Sequence, residues 1–235
     1  MSSSITTYNV AQNILFEDNH LIAVNKPAGI LVQGDSTGDK CLSDYIKAYI
    51  KKKYNKPGAV YLGTIHRLDR PVSGIVIFAK TSKALTRMNK MFQDKEVKKT
   101  YWALVQKKPR SLSEDLTHWL KKMGDKNITK AHDKEVKGSK KSTLTYHYIG
   151  TANHKYLIEI ELGTGRSHQI RAQLSKIGLP ISGDLKYGSW KGKGNYIYLH
   201  AKSLSFIHPV TKEKVHLHCD LPDEQNWNFF KQFDQ

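Results

Sequence analysis

Cysteine is nearly absent: the chain has only Cys41 and Cys219. Two thiols cannot form a disulfide framework, so a reducing, cytoplasmic setting is expected. No apolar run approaches the roughly 18 residues of a membrane span, and the opening MSSSITTYNV lacks the basic and apolar segments of a secretory leader. Internal repeats and low-complexity tracts are missing too, which argues against solenoid and linker architectures. Acidic residues are scarce: 21 Asp and Glu face 38 Lys and Arg, a formal net charge of +17 on 235 residues.

That imbalance carries the first positive inference. Self-repulsion on this scale costs stability, and a polyanion relieves it. The basic residues are dispersed in short runs, Lys51-Lys52-Lys53, Lys98-Lys99, Lys107-Lys108, Lys121-Lys122 and Lys140-Lys141, with a local excess over acids across residues 107–142. Dispersion suits many phosphates along a folded nucleic acid better than one small ligand. No basic amphipathic helix with an aromatic face is visible, so a membrane surface is not the expected partner. Twelve Tyr, seven Phe and four Trp supply apolar area for a core.

Patterning places the elements. Leu21-Ile22-Ala23-Val24 reads as a strand entering the turn Asn25-Lys26-Pro27-Ala28-Gly29. Cys41 to Tyr54 has helical spacing, with Leu42, Tyr45, Ile46 and Tyr49 on one face. The run GIVIFA at 74–79 reads as a buried strand. Ser82 is the expected cap of a helix with the stripe Leu85, Met88, Met91 and Phe92, which reads as core and not as a cofactor box. Thr100–Val105, Thr143–Ile149 and Tyr156–Leu162 read as strands, and the Lys-rich stretch between the first two as an irregular excursion. Ser167 is the expected cap of a helix closed by Gly178 and Pro180. Asn195–Ile207 and Lys214–Leu221 read as late strands. Strands dominate without a βαβ rhythm, so an α+β fold with a mixed, largely antiparallel central sheet and flanking helices is expected.

Two clusters carry chemistry. In His66-Arg67-Leu68-Asp69-Arg70-Pro71-Val72-Ser73-Gly74 a carboxylate sits between two arginines, which favour its ionised form. A stiff loop of this kind can aim Asp69 as a nucleophile or base, although an Arg-Asp-Arg loop is also a common structural ion pair. In Gly163-Thr164-Gly165-Arg166-Ser167-His168-Gln169-Ile170-Arg171 a Gly-rich turn feeds a helix N-terminus, where free N–H groups attract anions. Arg166 is disfavoured there by the helix dipole, so an acidic partner is expected for it. The segment lacks the GK[ST] ending of a phosphate loop. His216 and His218 beside Cys219 are too few for a zinc site, and no metal is expected.

These segments together resemble the RluA-type RNA pseudouridine synthases. HRLDRPVSG is similar to that family's signature, which places the catalytic aspartate at Asp69. NKPAG at 25–29 is similar to its first motif, and Lys99-Thr100-Tyr101-Trp102-Ala103 to the segment with the active-site tyrosine, here Tyr101. GRSHQIR, followed by Gly178-Leu179-Pro180-Ile181-Ser182-Gly183-Asp184 and Tyr187-Gly188, is similar to its third motif. The likeness runs in order from Asn25 to Pro209.

The resemblance implies a single pseudouridine synthase domain over residues 1–235 with a central catalytic cleft and no N-terminal S4-type RNA-binding domain. It implies isomerisation of specific uridines in ribosomal or transfer RNA. The target uridine is flipped out and attacked by Asp69, Tyr101 stacks on the base, and Arg166 is the buried partner of Asp69, with Arg171 as the alternative. Because the reaction gains and loses no atoms, no cofactor is implied. Lys26, His66, Arg67, Arg171, Lys121, Lys122, Lys140 and Lys141 are the expected RNA contacts, on a protein expected to be monomeric. Val72 and Gln173 depart from the family pattern, which often has Thr and His there. Two other classes are alternatives: a non-catalytic RNA-binding or ribosome-assembly protein on the same fold, and a glycoside hydrolase with Asp184 as its second acid.

Overall fold

The computed structural model describes residues 8–124, 127–190 and 196–234. Asn195, at the start of one expected strand, lies outside them, as do residues 125 and 126 of the Lys-rich stretch and the first seven residues. In chain order the elements are β1 (Ile14–Glu17), β2 (Leu21–Lys26), α1 (Leu42–Lys53), β3 (Gly63–Thr64), β4 (Ser73–Ala79), α2 (Ser82–Gln93), β5 (Lys98–Val105), β6 (Ser113–Met123), β7 (Ile128–His132), β8 (Lys140–Ala152), β9 (Lys155–Leu162), α3 (Gln169–Lys176), β10 (Leu199–Ile207), β11 (Lys214–His218) and α4 (Gln225–Asn228). This is the expected α+β composition on antiparallel sheet. No helix among the described residues is long and apolar enough to cross a membrane.

The described residues group into two compact units, one of residues up to Val97 plus Ser203–Cys219, the other of Lys98–Lys202 plus the residues from Asp220 onward.

In the first unit, β2 pairs antiparallel with β1 and with β4, and β3 also pairs with β4. Every residue of β4 is buried, as its unbroken apolar run requires. The Ser203–Ile207 stretch of β10 pairs with β11. Leu21, Ala23, Ile75, Ile77, Met88, Leu204 and Phe206 form the core, with Leu85, Met91 and Phe92 of α2 packed on it. The cap of α2 is Thr81, one residue before the expected Ser82: its hydroxyl accepts the Ala84 N–H at 3.2 Å.

In the second unit the strand order is β5-β9-β8-β6-β7, all antiparallel. The expected irregular excursion is regular sheet: β6 is paired on both sides, with β8 and β7. Buried Leu116, His118 and Leu120 alternate along β6, but the adjacent Lys121 and Lys122 break the apolar pattern before the strand ends. Alternation along this register separates two faces. One carries Tyr101, Ile160, Tyr146, Leu144, Leu116 and Leu120, and Ala172 of α3 packs against Leu120 and Ala131 on it. The other carries Trp102, Leu104 and Leu157, packed under Leu221, Trp227 and Phe230.

Candidate active site

The loop of residues 65–72 presents Asp69 between β3 and β4 in the first unit. A clamp from the β2 turn holds it. The Gly29 N–H donates to the Arg70 carbonyl at 2.7 Å, and Arg70 Nε donates to the Gly29 carbonyl at 2.9 Å. Arg70 also pairs with Asp39 at 2.8 Å, and the Val72 N–H closes a turn on the Asp69 carbonyl at 3.0 Å.

Lys26 is the largest correction in this unit. Expected as an RNA contact, it is fully buried. Its ammonium donates to the carbonyls of Pro27 at 3.0 Å, Ile30 at 2.9 Å and Arg70 at 3.2 Å. Burial lowers its pKa to about 7, with the Asp69 carboxylate opposing the shift and Arg70 adding to it. Lys26 therefore fastens the two loops from within and sets a positive charge close to Asp69.

His66 also differs from an open RNA contact. Half-buried, it accepts the Ile77 N–H at 3.2 Å through Nε2 and stacks on Phe92 with centroids 5.2 Å apart. Arg67 is exposed, as an RNA contact requires. Val72 is buried, so the departure from threonine fills a core position.

In the second unit, Tyr101 is buried on β5 opposite Ile160. Lys99 shares its face, and the Lys99 ammonium lies 3.7 Å from where a Cβ on Gly165 would stand. The Gly163–Arg166 turn is thus brought alongside the Tyr101 face. Partial burial lowers the pKa of Lys99.

Three N–H groups of the Gly-rich turn, expected to attract an anion, are taken up within the protein. The N–H groups of Gly163 and Thr164 both donate to the Thr143 carbonyl, at 3.0 and 3.2 Å, and that of Arg166 donates to Gln169 Oε1 at 3.0 Å. Glycine is required at 163 because any Cβ would collide with the Thr143 side chain. Helix α3 begins at Gln169. Its cap is His168 in the left-handed conformation, φ 54°, with no side-chain cap bond, so Ser167 does not cap it. His168 Nδ1 instead meets the Tyr187 hydroxyl at 2.8 Å.

Arg166 and Arg171 exchange expectations. Arg166, expected to be buried, is exposed. Arg171, expected to contact RNA, is buried and grips Asp184 through both Nε and Nη2, at 2.7 and 2.9 Å, over the ring of Tyr187. Arginine stays charged even when buried, so the enclosed guanidinium needs a carboxylate of this kind to offset its desolvation. Asp184 is itself buried and engaged by Arg171 through both oxygens, so it is not available as the second acid of a hydrolase. Gln173 is equally internal: its amide donates to His118 Nδ1 at 3.1 Å, and burial lowers the pKa of His118. The glutamine occupies the core under β6.

The sheet also divides the four candidate lysines. Lys122 lies opposite buried Thr129, and Lys140 opposite Leu120, on the face that carries Tyr101. Lys121 lies opposite Lys130, and Lys141 opposite Trp119, on the other face. All but the half-buried Lys121 are exposed.

Comparison with known proteins agrees with these motifs. Residues 20–176 match the family described as RNA pseudouridylate synthase. The chain is 35% identical to the ribosomal large subunit pseudouridine synthase C of Buchnera aphidicola from Schizaphis graminum, over 94% of this chain and 71% of the relative. It is 33% identical to the tRNA pseudouridine synthase C of Haemophilus influenzae, over 94% and 97%. The solved structure of human RNA pseudouridylate synthase domain containing 4 superposes with a TM-score of 0.75 at 24% identity, over 91% of this chain and 90% of that one, and shows the shared fold. The chain belongs to the RNA pseudouridylate synthase family, a family of isomerases.

Proposed function

We propose that this protein converts uridine to pseudouridine in ribosomal or transfer RNA, with Asp69 as the nucleophile. The observation that carries the assignment is the Asp69 loop itself. A carboxylate on a short turn is clamped by the two hydrogen bonds between Arg70 and Gly29 and underpinned by a buried ammonium. So much fixation around one acid preorganises it for a reaction in which positioning supplies much of the barrier reduction.

The N1–C1′ bond of uridine breaks and a C5–C1′ bond forms, with the C5 proton lost and N1 protonated. No cofactor enters. A stacked uridine is first extruded, at a cost of a few kcal/mol. Tyr101 is assigned to stack on the extruded base. Arg171 is held by Asp184 inside the second unit, and exposed Arg166 is assigned to RNA contact with Arg67. Lys122 and Lys140 supply phosphate contacts on the Tyr101 face, and the remaining charge supplies salt-sensitive affinity.

Asp69→Asn tests the proposal. The variant is expected to bind transcripts as the wild type does and to form no pseudouridine, read by chemical mapping of ribosomal and transfer RNA. Retained turnover would remove Asp69 from the chemistry.

A further inference from the structure

The second unit contains a cavity of about 580 Å³ that the proposed reaction does not use. It is lined by Gln106, Ser182, Trp190, Tyr196, Tyr198 and Glu224, with Lys155 and Asn226 beside them. Tyr196 and Tyr198 pack against the cluster of Trp102, Leu104 and Trp227. The cavity is therefore on the face of β5 opposite Tyr101. Its volume lies within the range of small-molecule sites.

The walls are aromatic. Tyr196 and Tyr198 meet edge to face with centroids 5.0 Å apart, and Trp190 is 71% exposed. A large apolar ring left in water at the side of a cavity is unusual and marks a place to stack. Among the polar groups, Glu224 offers acceptor atoms alone. Glu224 is fixed by the Tyr198 hydroxyl at 2.9 Å and by the Asn226 N–H at 3.0 Å. Gln106 donates its amide N–H to Ser189 Oγ at 3.0 Å, which leaves the amide oxygen as a further acceptor. Ser189 Oγ is itself fixed by the Gly183 N–H at 3.1 Å. Burial and the nearby Glu224 carboxylate raise the pKa of Tyr196. Lys155 adds a positive charge at the cavity.

We infer that this cavity binds a nucleobase with a donor edge, stacked on Trp190 and hydrogen-bonded to Glu224, with its phosphate toward Lys155. A flat heteroaromatic ring matches the aromatic walls. Two fixed acceptors select N–H and amino groups, so guanine, which offers N1–H and a 2-amino group side by side to one carboxylate, fits best. Uracil, with a single ring N–H between two carbonyls, fits worst. The base can belong to a second unstacked nucleotide of the RNA or to a free nucleotide, and only the first of these sources rests on the proposed function.

The test uses the full chain carrying Asp69→Asn, so that binding is read without turnover. Tryptophan fluorescence and the Trp190 indole N–H resonance are followed during titration with GMP, UMP and single-stranded oligoguanylate or oligouridylate. Guanine ligands are expected to shift the Trp190 signal and to bind more tightly than uracil ligands. Trp190→Ala should weaken guanine binding about tenfold, the loss of one base stack. Glu224→Gln, which keeps one acceptor oxygen, should erase the preference for guanine over uracil. Saturation by GMP with no gain from the oligonucleotide identifies a free nucleotide, and tighter oligonucleotide binding identifies RNA. If neither variant alters guanine affinity, or the Trp190 signal does not move, the inference is wrong. Pseudouridine formation by the otherwise wild-type Trp190→Ala protein separates this failure from failure of the proposed function, since Asp69 and Tyr101 are untouched.

Discussion

Replacing Lys26 with methionine should make stability depend on pH differently from the wild type. In the folded chain burial lowers the lysine pKa to about 7, against 10.5 as its ordinary value. Between these values the unfolded chain holds a proton that the folded chain has released, so wild-type stability rises with pH across this window. Integrating from pH 7 to pH 9 gives a gain of about 2 kcal/mol, at 1.36 kcal/mol per unit shift and with the folded group half-titrated at the start. Methionine has no such proton. It also orphans the carbonyls of Pro27 and Ile30, at about 1–3 kcal/mol each, whereas the Arg70 carbonyl keeps its bond from Gly29. Urea unfolding of both proteins at pH 7 and pH 9 measures the difference, and titration of the other lysines cancels between them. The wild-type advantage should widen by about 2 kcal/mol at the higher pH with unchanged m-values. A constant difference would mean that the three carbonyls keep the ammonium charged throughout, since a neutral amine has only two N–H groups for them.

Three further outcomes are expected. Asp184→Asn should destabilise the protein by about 3–5 kcal/mol, because Arg171 would remain buried without its carboxylate; a fall in Tm of under 2 °C would show that another group neutralises it. Burial alone would raise the Glu17 pKa, but hydrogen bonds from Lys53, Lys80 and Tyr54 outweigh it and hold the carboxyl at about 2. Its stabilisation is complete above its ordinary pKa of 4.5 and is lost as pH falls from there through 2. Glu17→Gln should therefore cost about 2 kcal/mol at pH 7, allowing for the exposed partners, and the difference should close as thermal melts are taken from pH 5 toward pH 2. Neutralising Lys122 and Lys140 together should raise KM for substrate RNA and flatten the salt dependence of binding by about one to two units of slope. Neutralising Lys121 and Lys141, on the opposite face, should leave KM within about twofold. The reverse order in a filter-binding and turnover assay would contradict the assignment of faces.

Short-range physics made much of this protein legible. Strand β4 announces itself because an unbroken apolar run has no other stable place than a buried sheet. Helix α2 follows from spacing alone, and the Asp69 loop from an acid set between arginines. What sequence could not resolve was burial of charge. Lys26 and Arg171 are polar by composition and read as surface contacts, but each is enclosed because acceptors from distant segments converge on it: the Ile30 and Arg70 carbonyls for one, Asp184 for the other. The lysine-rich stretch likewise looks irregular in sequence because sheet pairing, not local propensity, makes β6 and β7 regular.

The sequence by itself determined the family, the candidate carboxylate and the basic charge, since ordered motifs and net charge survive without coordinates. Only the tertiary structure decided which cations are internal struts, which face of the sheet each lysine occupies, and that Trp190, Tyr196 and Tyr198 share a cavity with the distant Gln106 and Glu224. Those properties depend on contacts between residues remote in sequence, and no local pattern encodes them.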